Sequence, residues 1–389
     1  MENIDFSKVI DRTGFQSVKW ERTAEVFGTC DVLPMWVADM DFRPPIAVTD
    51  ALRQRMEHGI FGYTYPCESA VKAAAGWLER RHSWKVDNSW ITFSSGVVPS
   101  ISTAVNAFTK PGDKVLIQSP VYPPFMEMVE KNGRVLVNSQ LHFQNGEYTI
   151  DFKDFEEKLK GGVKLFILCN PHNPGGRVWK RQELERIGNL CSQYDCLIVS
   201  DEIHSDLVHT PNEHLPIASI NKDFLKNVVT FVAPSKTFNI AGLQASVVII
   251  PESSLLDKFQ AIQEKNGFHC PNVFGLTALE AAYHYGDEWL NSLMPYIKNN
   301  LMTAISYMKE NIPGVKTFFP DASYLLWIDC RKLALSDKEL QELLLYKGKI
   351  ALEPGPKYGP GGEGFVRLNV ACPEATLLEG LTRLKKALT

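Results

Sequence analysis

The chain alternates between short apolar runs and amphipathic segments over residues 50–272. The apolar runs are rich in β-branched residues and bounded by turn-forming residues. They predict seven strands, at residues 90–95, 113–119, 133–139, 163–169, 196–201, 228–233 and 245–250. Amphipathic stretches such as 100–108 and 181–194 predict intervening helices. Continuous apolar strands alternating with helices indicate an α/β fold, with a mostly parallel central sheet covered by helices on both faces.

The pattern changes after residue 272. Residues 273–312 predict long helical structure, interrupted near Gly286 and Pro295. Two strands at 322–330 and 364–372 and a closing helix at 374–388 follow. We therefore expect a large domain at residues 50–272, a smaller α+β C-terminal domain at 273–389, and an N-terminal segment at 1–49 that packs with the small domain.

Composition and charge exclude several classes of protein. The 389 residues carry a formal net charge of −4, so there is no basic excess to bind the phosphate backbone of a nucleic acid. The first residues contain no apolar stretch typical of a secretory signal, and no run is long enough to cross a membrane. We expect a cytoplasmic protein that binds neither nucleic acid nor membrane.

The eight cysteines form no CxxC pair, and several lie in apolar runs. They predict buried free thiols in a reducing compartment. His204 and His209 are the nearest approach to a metal-binding pair, but a zinc site needs clustered ligands, so we expect no metal site.

Polar residues follow three predicted strands where ligands of parallel sheets bind, at the carboxyl ends. Asn173 lies in the rigid turn 170–179, which has two Asn-Pro steps followed by Gly-Gly. Asp201 ends one buried strand, and Lys236 follows another. Each has an ordinary alternative: a self-bonded turn asparagine, a helix N-cap aspartate, and a solvated lysine. Their convergence favours a binding site.

Gly96, Val97 and Val98 follow the strand at 90–95 and begin a predicted helix. Free main-chain N–H groups at a helix N-terminus bind anions, although a plain turn would have the same pattern. The chain has neither a Walker loop nor a GxGxxG fingerprint at this place. A phosphate cradle, an amine, a carboxylate and an amide together suit pyridoxal 5′-phosphate.

These residues resemble the fold-type-I, aminotransferase-like pyridoxal-phosphate enzymes over nearly the whole chain. The closer resemblance is to the MalY/PatB-type cystathionine β-lyases, also called C–S lyases. It is carried by segments that include LPMWVADMDF (33–42), SSGVVPS (94–100), NPHNPGGRVW (170–179), DEIHSDLV (201–208), SKTFNIAGLQAS (235–246) and GEGFVRLNVACP (362–373).

The resemblance implies a role for each matching position in binding the cofactor. Lys236 would bond covalently to the cofactor aldehyde and later carry the substrate Cα proton. Asp201 would pair with the ring nitrogen, and Asn173 would bond the phenolic oxygen. Tyr122 would stack on the ring. The phosphate would be held by Gly96, Val97, Val98, Ser235 and, from the neighbouring subunit of a homodimer with shared active sites, Tyr63.

For the substrate, the resemblance implies that Arg367 clamps the carboxylate, with Ala38 and Asn173 also in contact. The ordinary alternative for Arg367 is a surface ion pair. The implied reaction is α,β-elimination from L-cystathionine, L-cysteine or cysteine conjugates to a thiol, pyruvate and ammonia. Lys236, Tyr122 and Tyr63 are the candidate catalytic residues. A pyridoxal-phosphate aminotransferase and a lyase with a secondary regulatory binding role are the alternatives.

Two positions depart from the pattern of many aminotransferases. His204 stands where many have a tyrosine that bonds the phenolic oxygen of the cofactor. Gln244 stands eight residues after Lys236, where many have an arginine that binds phosphate. Without that positive charge, the sequence does not identify which residue replaces the arginine in binding the phosphate. The neutral side chain also argues against a standard aminotransferase.

Overall fold

The computed structural model describes residues 4–389; residues 1–3, the start of the predicted N-terminal segment, lie outside the described residues. The strands within this range are β1 (Leu33–Pro34), β2 (Ile91–Ser94), β3 (Lys114–Ile117), β4 (Val135–Asn138), β5 (His142–Gln144), β6 (Glu147–Thr149), β7 (Val163–Cys169), β8 (Leu197–Asp201), β9 (Val228–Val232), β10 (Ser246–Ile249), β11 (Lys316–Thr317), β12 (Leu325–Asp329), β13 (Ile350–Ala351), β14 (Glu353–Pro354) and β15 (Phe365–Asn369).

The α-helices of the same range are α1 (Val18–Glu21), α2 (Thr23–Phe27), α3 (Ile46–His58), α4 (Glu68–His82), α5 (Val97–Phe108), α6 (Pro124–Lys131), α7 (Phe152–Lys160), α8 (Arg181–Gln193), α9 (Pro234–Thr237), α10 (Ser253–Lys265), α11 (Val273–Tyr285), α12 (Asp287–Asn311), α13 (Asp337–Glu342) and α14 (Glu374–Leu388). Short 3-10 helices connect several of them, and a π-helix spans Leu343–Gly348.

The seven predicted strands form one sheet in the order β2-β10-β9-β8-β7-β3-β4. Neighbours from β9 to β4 are parallel, whereas β10 runs antiparallel to both β2 and β9. The prediction of a mostly parallel sheet is therefore confirmed. The direction of β10 could not be predicted, because an apolar run has the same composition whichever way the chain enters the sheet.

Both faces of this sheet are buried, as strand β7 shows. Leu165 and Ile167 belong to one apolar cluster, with α5, α6 and α10, whereas Phe166 and Leu168 belong to the other. Successive strand side chains point to opposite faces, so a run of consecutive apolar residues is needed when helices cover both sides. The rigid sheet fixes the positions of the loops at its edge.

The C-terminal region contains a second, antiparallel sheet in the order β11-β12-β15-β14, whose buried residues belong to the same apolar cluster as those of α12, α13 and α14. The predicted helix break at Gly286 is confirmed, since this residue separates α11 from α12. The predicted break at Pro295 is wrong. Helix α12 continues through this proline, because the burial of its apolar face outweighs the loss of one main-chain hydrogen bond.

The N-terminal segment reaches this region through strand β1. Leu33 pairs with Ile350 in a parallel bridge, and the N–H of Asn369 donates to the carbonyl of Met35 over 3.0 Å. We propose the predicted three-part division of the chain, with boundaries after residues 49 and 272, as the working description of its domains.

Two smaller findings concern membrane crossing and cysteines. Among the helices of residues 4–389, none combines the length and the apolar character that a membrane crossing requires. All eight cysteines are free. Five are buried, as expected, but Cys30 is exposed and Cys67 and Cys270 are partly exposed, so the expectation of burial is wrong for these three.

Candidate active site

A cavity of about 500 Å³ lies at the carboxyl ends of β7, β8 and β9. The register of these strands pairs Cys169 with Asp201, and Asp201 with Phe231. The loops that follow them therefore begin at one level of the sheet edge. The cavity is lined by eleven of the twelve predicted site residues: Ala38, Gly96, Val97, Val98, Tyr122, Asn173, Asp201, His204, Ser235, Lys236 and Arg367.

The exception is Tyr63, which does not line this cavity. Its side chain is fully exposed on the surface of the subunit, as are large parts of its neighbours Phe61 and Tyr65. Within the described chain, the site thus lacks the one contact that was expected from a second subunit.

Lys236 lies in α9, the single turn of helix that follows β9. Its Nζ donates a 2.7 Å hydrogen bond to the main-chain carbonyl of Ala38, a residue 198 positions earlier. Burial lowers the pKa of Lys236 to about 8, and the positive charge of Arg367 acts in the same direction. About a tenth of the amine is therefore neutral at pH 7, and a nucleophile or base must be in this neutral form.

Asp201 ends β8 and is almost fully buried. Its Oδ1 accepts a 3.1 Å hydrogen bond from the N–H of Ile203, and it forms no ion pair with any residue of the described chain. Burial raises its pKa to about 7, and the adjacent charge of Glu202 adds to the rise. A carboxylate held in this way has a strong preference for a cationic partner.

Asp206, five residues later, is also buried but is fully engaged. It accepts hydrogen bonds from Trp77 Nε1 (3.0 Å), His82 Nε2 (2.9 Å) and Thr237 Oγ1 (2.8 Å). Burial alone would raise its pKa, but the bond and charge of His82, with the other donors, lower it below the usual range. Because Thr237 directly follows Lys236, Asp206 fixes the short helix that carries the lysine.

Glu202, between these two aspartates, is satisfied in the same way. Its carboxylate accepts hydrogen bonds from His214 Nε2 (2.8 Å) and Ser200 Oγ (2.8 Å). The rings of His82 and His214 lie edge to face, with centroids 5.2 Å apart. The carboxylates of Glu202 and Asp206 behind the cavity therefore have histidine partners, whereas Asp201 faces the cavity without a basic partner in the described chain.

The segment 36–41 supports one wall of the cavity, and its residues 36–38 line that wall. Asn239 donates to the carbonyls of Met40 and Phe42, and Asn369 donates to those of Val37 and Asp39. The two amides tie the segment to both the large sheet and the small domain. This is why the Ala38 carbonyl is fixed opposite Lys236.

The same segment is anchored on its outer side by charges. Asp41 accepts from Lys19 Nζ at 2.6 Å and from Arg12 at 2.8 Å, and Arg12 also pairs with Asp39 at 2.6 Å. Lys19 is almost fully buried. A buried charge pair of this kind fixes a position, because removing one partner would leave the other charge unpaired.

Arg367 lies in β15 and is buried. Its Nη1 donates to Asn173 Oδ1 and its Nη2 to the carbonyl of Trp36, each over 2.9 Å. Its Nε is buried without a hydrogen-bond partner, and no carboxylate of the described chain pairs with it. The predicted alternative of a surface ion pair is thus wrong: this is a buried guanidinium with capacity for an anion.

His204 and Tyr122 remain uncharged near neutral pH. Burial lowers the pKa of His204 to about 3, helped by the charges of Lys236 and Arg367, and its Nδ1 is buried without a partner. Burial raises the pKa of Tyr122 to about 12, with the charge of Asp201 contributing. Both can therefore donate or accept a hydrogen bond without carrying a charge.

The candidate anion site is the N-terminus of α5. Gly96 precedes the helix with φ of 154°, a conformation that L side chains rarely adopt, and its carbonyl accepts from Ser100 Oγ at 2.8 Å. Ser235 and Gln244 also line the cavity. The residue at the position that departs from the aminotransferase pattern therefore faces the site as a neutral amide.

Several cavity residues were not predicted from the sequence, among them Ser95, Trp36, Glu353, Lys357 and Tyr358. Tyr324 was also missed; its hydroxyl donates to the Ala38 carbonyl over 3.2 Å. Ser95 and Trp36 lie within motifs that had been singled out, so position in a motif could have found them. The other residues come from the small domain, and no local pattern marks them as part of a site.

Comparison with known proteins gives a consistent result. The profile of the family described as Aminotransferase class I and II matches residues 31–384. The chain is 54% identical to Cystathionine beta-lyase PatB of Bacillus subtilis, covering 99% of this chain and 100% of that one. It is 35% identical to Protein MalY of Escherichia coli, covering 99% and 98%.

A solved structure with the same fold is that of cystalysin from Treponema denticola, which contains a pyridoxal 5′-phosphate cofactor. The TM-score is 0.96 at 35% identity, and the match covers 99% of this chain and 98% of cystalysin.

Proposed function

Since the chain belongs to the aminotransferase class I and II family, in the group that includes PatB and MalY, we propose that it is a pyridoxal 5′-phosphate-dependent carbon–sulfur β-lyase. The substrate is a sulfur-containing amino acid, L-cystathionine in the first place and L-cysteine or cysteine conjugates in the second. The products are a thiol, pyruvate and ammonia.

The residues present fit this cofactor. Asp201 is a buried carboxylate with no basic partner in the described chain, which suits a protonated ring nitrogen. His204 Nδ1 is buried without a partner in the described chain, and burial lowers the pKa of Lys236. The N-terminus of α5, with Ser235 and Gln244, provides uncharged donors for a phosphate.

When bound, pyridoxal 5′-phosphate supplies an aldehyde that bonds to an amine and a protonated ring that stabilises negative charge at the substrate Cα. Lys236 provides the amine on the protein side. With substrate bound, Nζ of Lys236 would be placed to take the Cα proton, because its pKa of about 8 leaves it partly neutral. Ala38 and Tyr324 orient this group through the shared carbonyl.

Arg367 binds the substrate carboxylate in this proposal. The guanidinium is pre-positioned by Asn173 and by the Trp36 carbonyl, so little side-chain freedom is lost when the substrate binds. Arginine can hold a carboxylate with two parallel hydrogen bonds, whereas lysine offers a single point charge. The α-carboxylate is thereby fixed, and the Cα–H bond is oriented toward Lys236.

The leaving group makes modest demands on the protein. A thiol with a pKa of about 8.5 leaves from Cβ as thiolate without a strong acid. Tyr122 lines the cavity, and because its pKa is raised to about 12 it keeps its proton at neutral pH. It is therefore our candidate donor if the leaving sulfur is protonated. Neutral His204 accepts or donates a hydrogen bond without competing for the proton of Lys236.

We also propose a homodimer with shared active sites, in which Tyr63 of one subunit reaches the phosphate site of the other. The complete exposure of Tyr63 and the partial exposure of the apolar side chains of Ile60 and Phe61 support a surface that a second subunit covers. Mixing inactive Lys236→Ala and Tyr63→Ala subunits tests this, since shared sites would regain up to about a quarter of the activity and separate sites none. A cytoplasmic location stays a prediction.

The observation that carries the proposal is the convergence of Lys236, Asp201 and Arg367 in one cavity. The test is pyruvate release from L-cystathionine with no keto-acid acceptor present. Turnover that appears only when an acceptor is added would instead support an aminotransferase. Retention of a cellular phenotype by Lys236→Ala would support a regulatory role.

A further inference from the structure

The wall of the cavity beyond Arg367 carries two charged residues with no role in the chemistry described above. Glu353 and Lys357 both line the cavity, together with Trp36 and Tyr358. Lys236, Asp201 and Arg367 already account for the cofactor and for the α-carboxylate of the substrate. The additional acid and base therefore require a separate explanation.

Glu353 is directed toward the substrate side by the small sheet. In the pairing of β14 with β15 it lies directly opposite Arg367, so the two side chains project from the same face of the sheet. Its exposed fraction is only 7%. Its Oε1 accepts a 2.6 Å hydrogen bond from Lys357 Nζ, and its Oε2 accepts none from the residues of the described chain.

Lys357 is considerably more accessible than its partner. Its side chain is 46% exposed, against 10% for that of Glu353, and its Nζ lies 5.8 Å from the centre of the Trp36 ring. An ammonium group donates three hydrogen bonds, and the contact with Glu353 uses one of them. The pair therefore offers a free carboxylate oxygen and a free ammonium donor next to the α-carboxylate site.

We propose that Glu353 and Lys357 form the subsite for the distal end of the substrate and select a leaving group that ends in an amino-acid head. Glu353 accepts from the distal ammonium, and Lys357 donates to the distal carboxylate. This inference rests on the proposed lyase function and assigns its preferred substrate class.

The charge pattern distinguishes two classes of C–S substrate. A leaving group that carries its own amino and carboxylate groups, as in L-cystathionine, has one positive and one negative charge and complements an acid–base pair. An alkyl thiol leaving group, as in S-methyl-L-cysteine, has neither charge and cannot engage the pair. Specificity is the difference between the two affinities, so the pair favours the first class over the second.

The experiment compares kcat/KM for L-cystathionine and S-methyl-L-cysteine by pyruvate formation in the wild type, Lys357→Met and Glu353→Gln. A charge-assisted hydrogen bond lost from the distal head lowers the cystathionine value relative to the S-methylcysteine value by about 10- to 100-fold. Lys338→Met is the matched control, because it removes another lysine four residues from its acid, Glu342, away from the cavity. This control leaves the ratio unchanged.

If both variants keep the wild-type ratio of kcat/KM for L-cystathionine to kcat/KM for S-methyl-L-cysteine, whether or not both values fall, the proposed subsite is overturned. Thermal unfolding of each variant detects a simple loss of fold, and Lys357→Met is the safer of the two because its side chain is half exposed.

A second measurement separates this inference from the proposed function. Equilibrium binding of both amino acids is followed by the change in visible absorption of the holoenzyme. If the wild type binds both but releases no pyruvate, the lyase assignment fails, while the ratio of dissociation constants still decides on the subsite. A lower preference for cystathionine in both variants supports it, and an unchanged preference rejects it.

Discussion

Asp201 and Asp206 are two buried aspartates, five residues apart, in opposite electrostatic states. Asp206 accepts three hydrogen bonds, and its pKa is lowered. Asp201 accepts one from the main chain, and burial raises its pKa to about 7. Burial is common to both, so the difference lies in the partners that the fold supplies. A buried acid that the protein satisfies is an anchor, and one that it leaves unsatisfied is a binding group.

The short helix α9 contains the same contrast between an anchored and an unsatisfied residue. Asp206 holds α9 through Thr237, whereas Lys236 on the same helix faces the cavity and Ala38. One turn of helix thus carries an anchored residue and a reactive one side by side. The hydrogen-bonded groups that stabilise the fold lie behind the cavity, whereas the charged groups without an ionic partner line it.

The largest effect is expected for Lys236→Ala. The variant loses both the amine that bonds the cofactor and the base that takes the Cα proton, so pyruvate formation should fall by at least about 10⁴-fold. A coupled assay with L-cystathionine measures this loss. Lys332→Ala, an exposed lysine, is the control and should be fully active. An active Lys236→Ala enzyme would contradict the assignment of Lys236 as the reactive residue of α9, next to the anchored Thr237.

Asp201→Asn should lower kcat by about 10²- to 10³-fold, because the amide cannot stabilise a positive charge on the cofactor ring. Its fold should persist, since the native carboxylate has no cationic partner in the described chain to lose. Activity and urea unfolding of one preparation measure the two effects. A variant that unfolds while its residual molecules stay fully active would make Asp201 an anchor as well.

Asp206→Asn should have the reverse profile. It breaks the pair with His82 and weakens the bond to Thr237, so the free energy of unfolding should drop by about 3 kcal/mol. Urea denaturation at neutral pH measures this. Activity per folded molecule should fall less than in Asp201→Asn, because Asp206 does not line the cavity. An unchanged stability would contradict its assignment as an anchor.

The smallest effects are expected in the pH dependence of stability of the cofactor-free protein. The pKa of Asp201 is higher in the folded state than in the unfolded state, so its stabilising contribution is present below about pH 4 and lost as the pH rises through about 7. Asp201→Asn should therefore gain stability relative to the wild type, by about 1 to 3 kcal/mol, between these values.

Asp206 should show the opposite dependence on pH, in the more acidic range. Its folded-state pKa is lowered, so its contribution is present above about pH 4 and lost as the pH falls through the folded-state value. The cost of Asp206→Asn should therefore be larger near pH 7 than near pH 3. Parallel pH profiles for the two variants would contradict the assigned difference between the aspartates.

The sequence predicted the elements and motifs that are local. Continuous apolar runs identified all seven strands of the large sheet, and the residues at their ends identified Asn173, Asp201 and Lys236. The resemblance to the MalY/PatB-type enzymes is confirmed at the level of the family and this group. The site roles given to individual residues stay predictions.

What the sequence could not predict depends on contacts between distant parts of the chain. The Ala38 carbonyl that receives Lys236 comes from 198 residues away, and Glu353 and Lys357 enter the cavity from the small domain. The opposite pKa shifts of Asp201 and Asp206 could not be predicted either, because both residues lie in one motif and differ only in their hydrogen-bond partners. Helix α12 continues through Pro295 because tertiary burial overrides the local preference.

The most direct test is to reduce the holoenzyme with borohydride and map the tryptic peptides by mass spectrometry. We predict that the cofactor mass is found on Lys236, within a peptide spanning 227–258 in which cleavage at the modified lysine has been missed. Cofactor mass on another lysine, or on none, would contradict it.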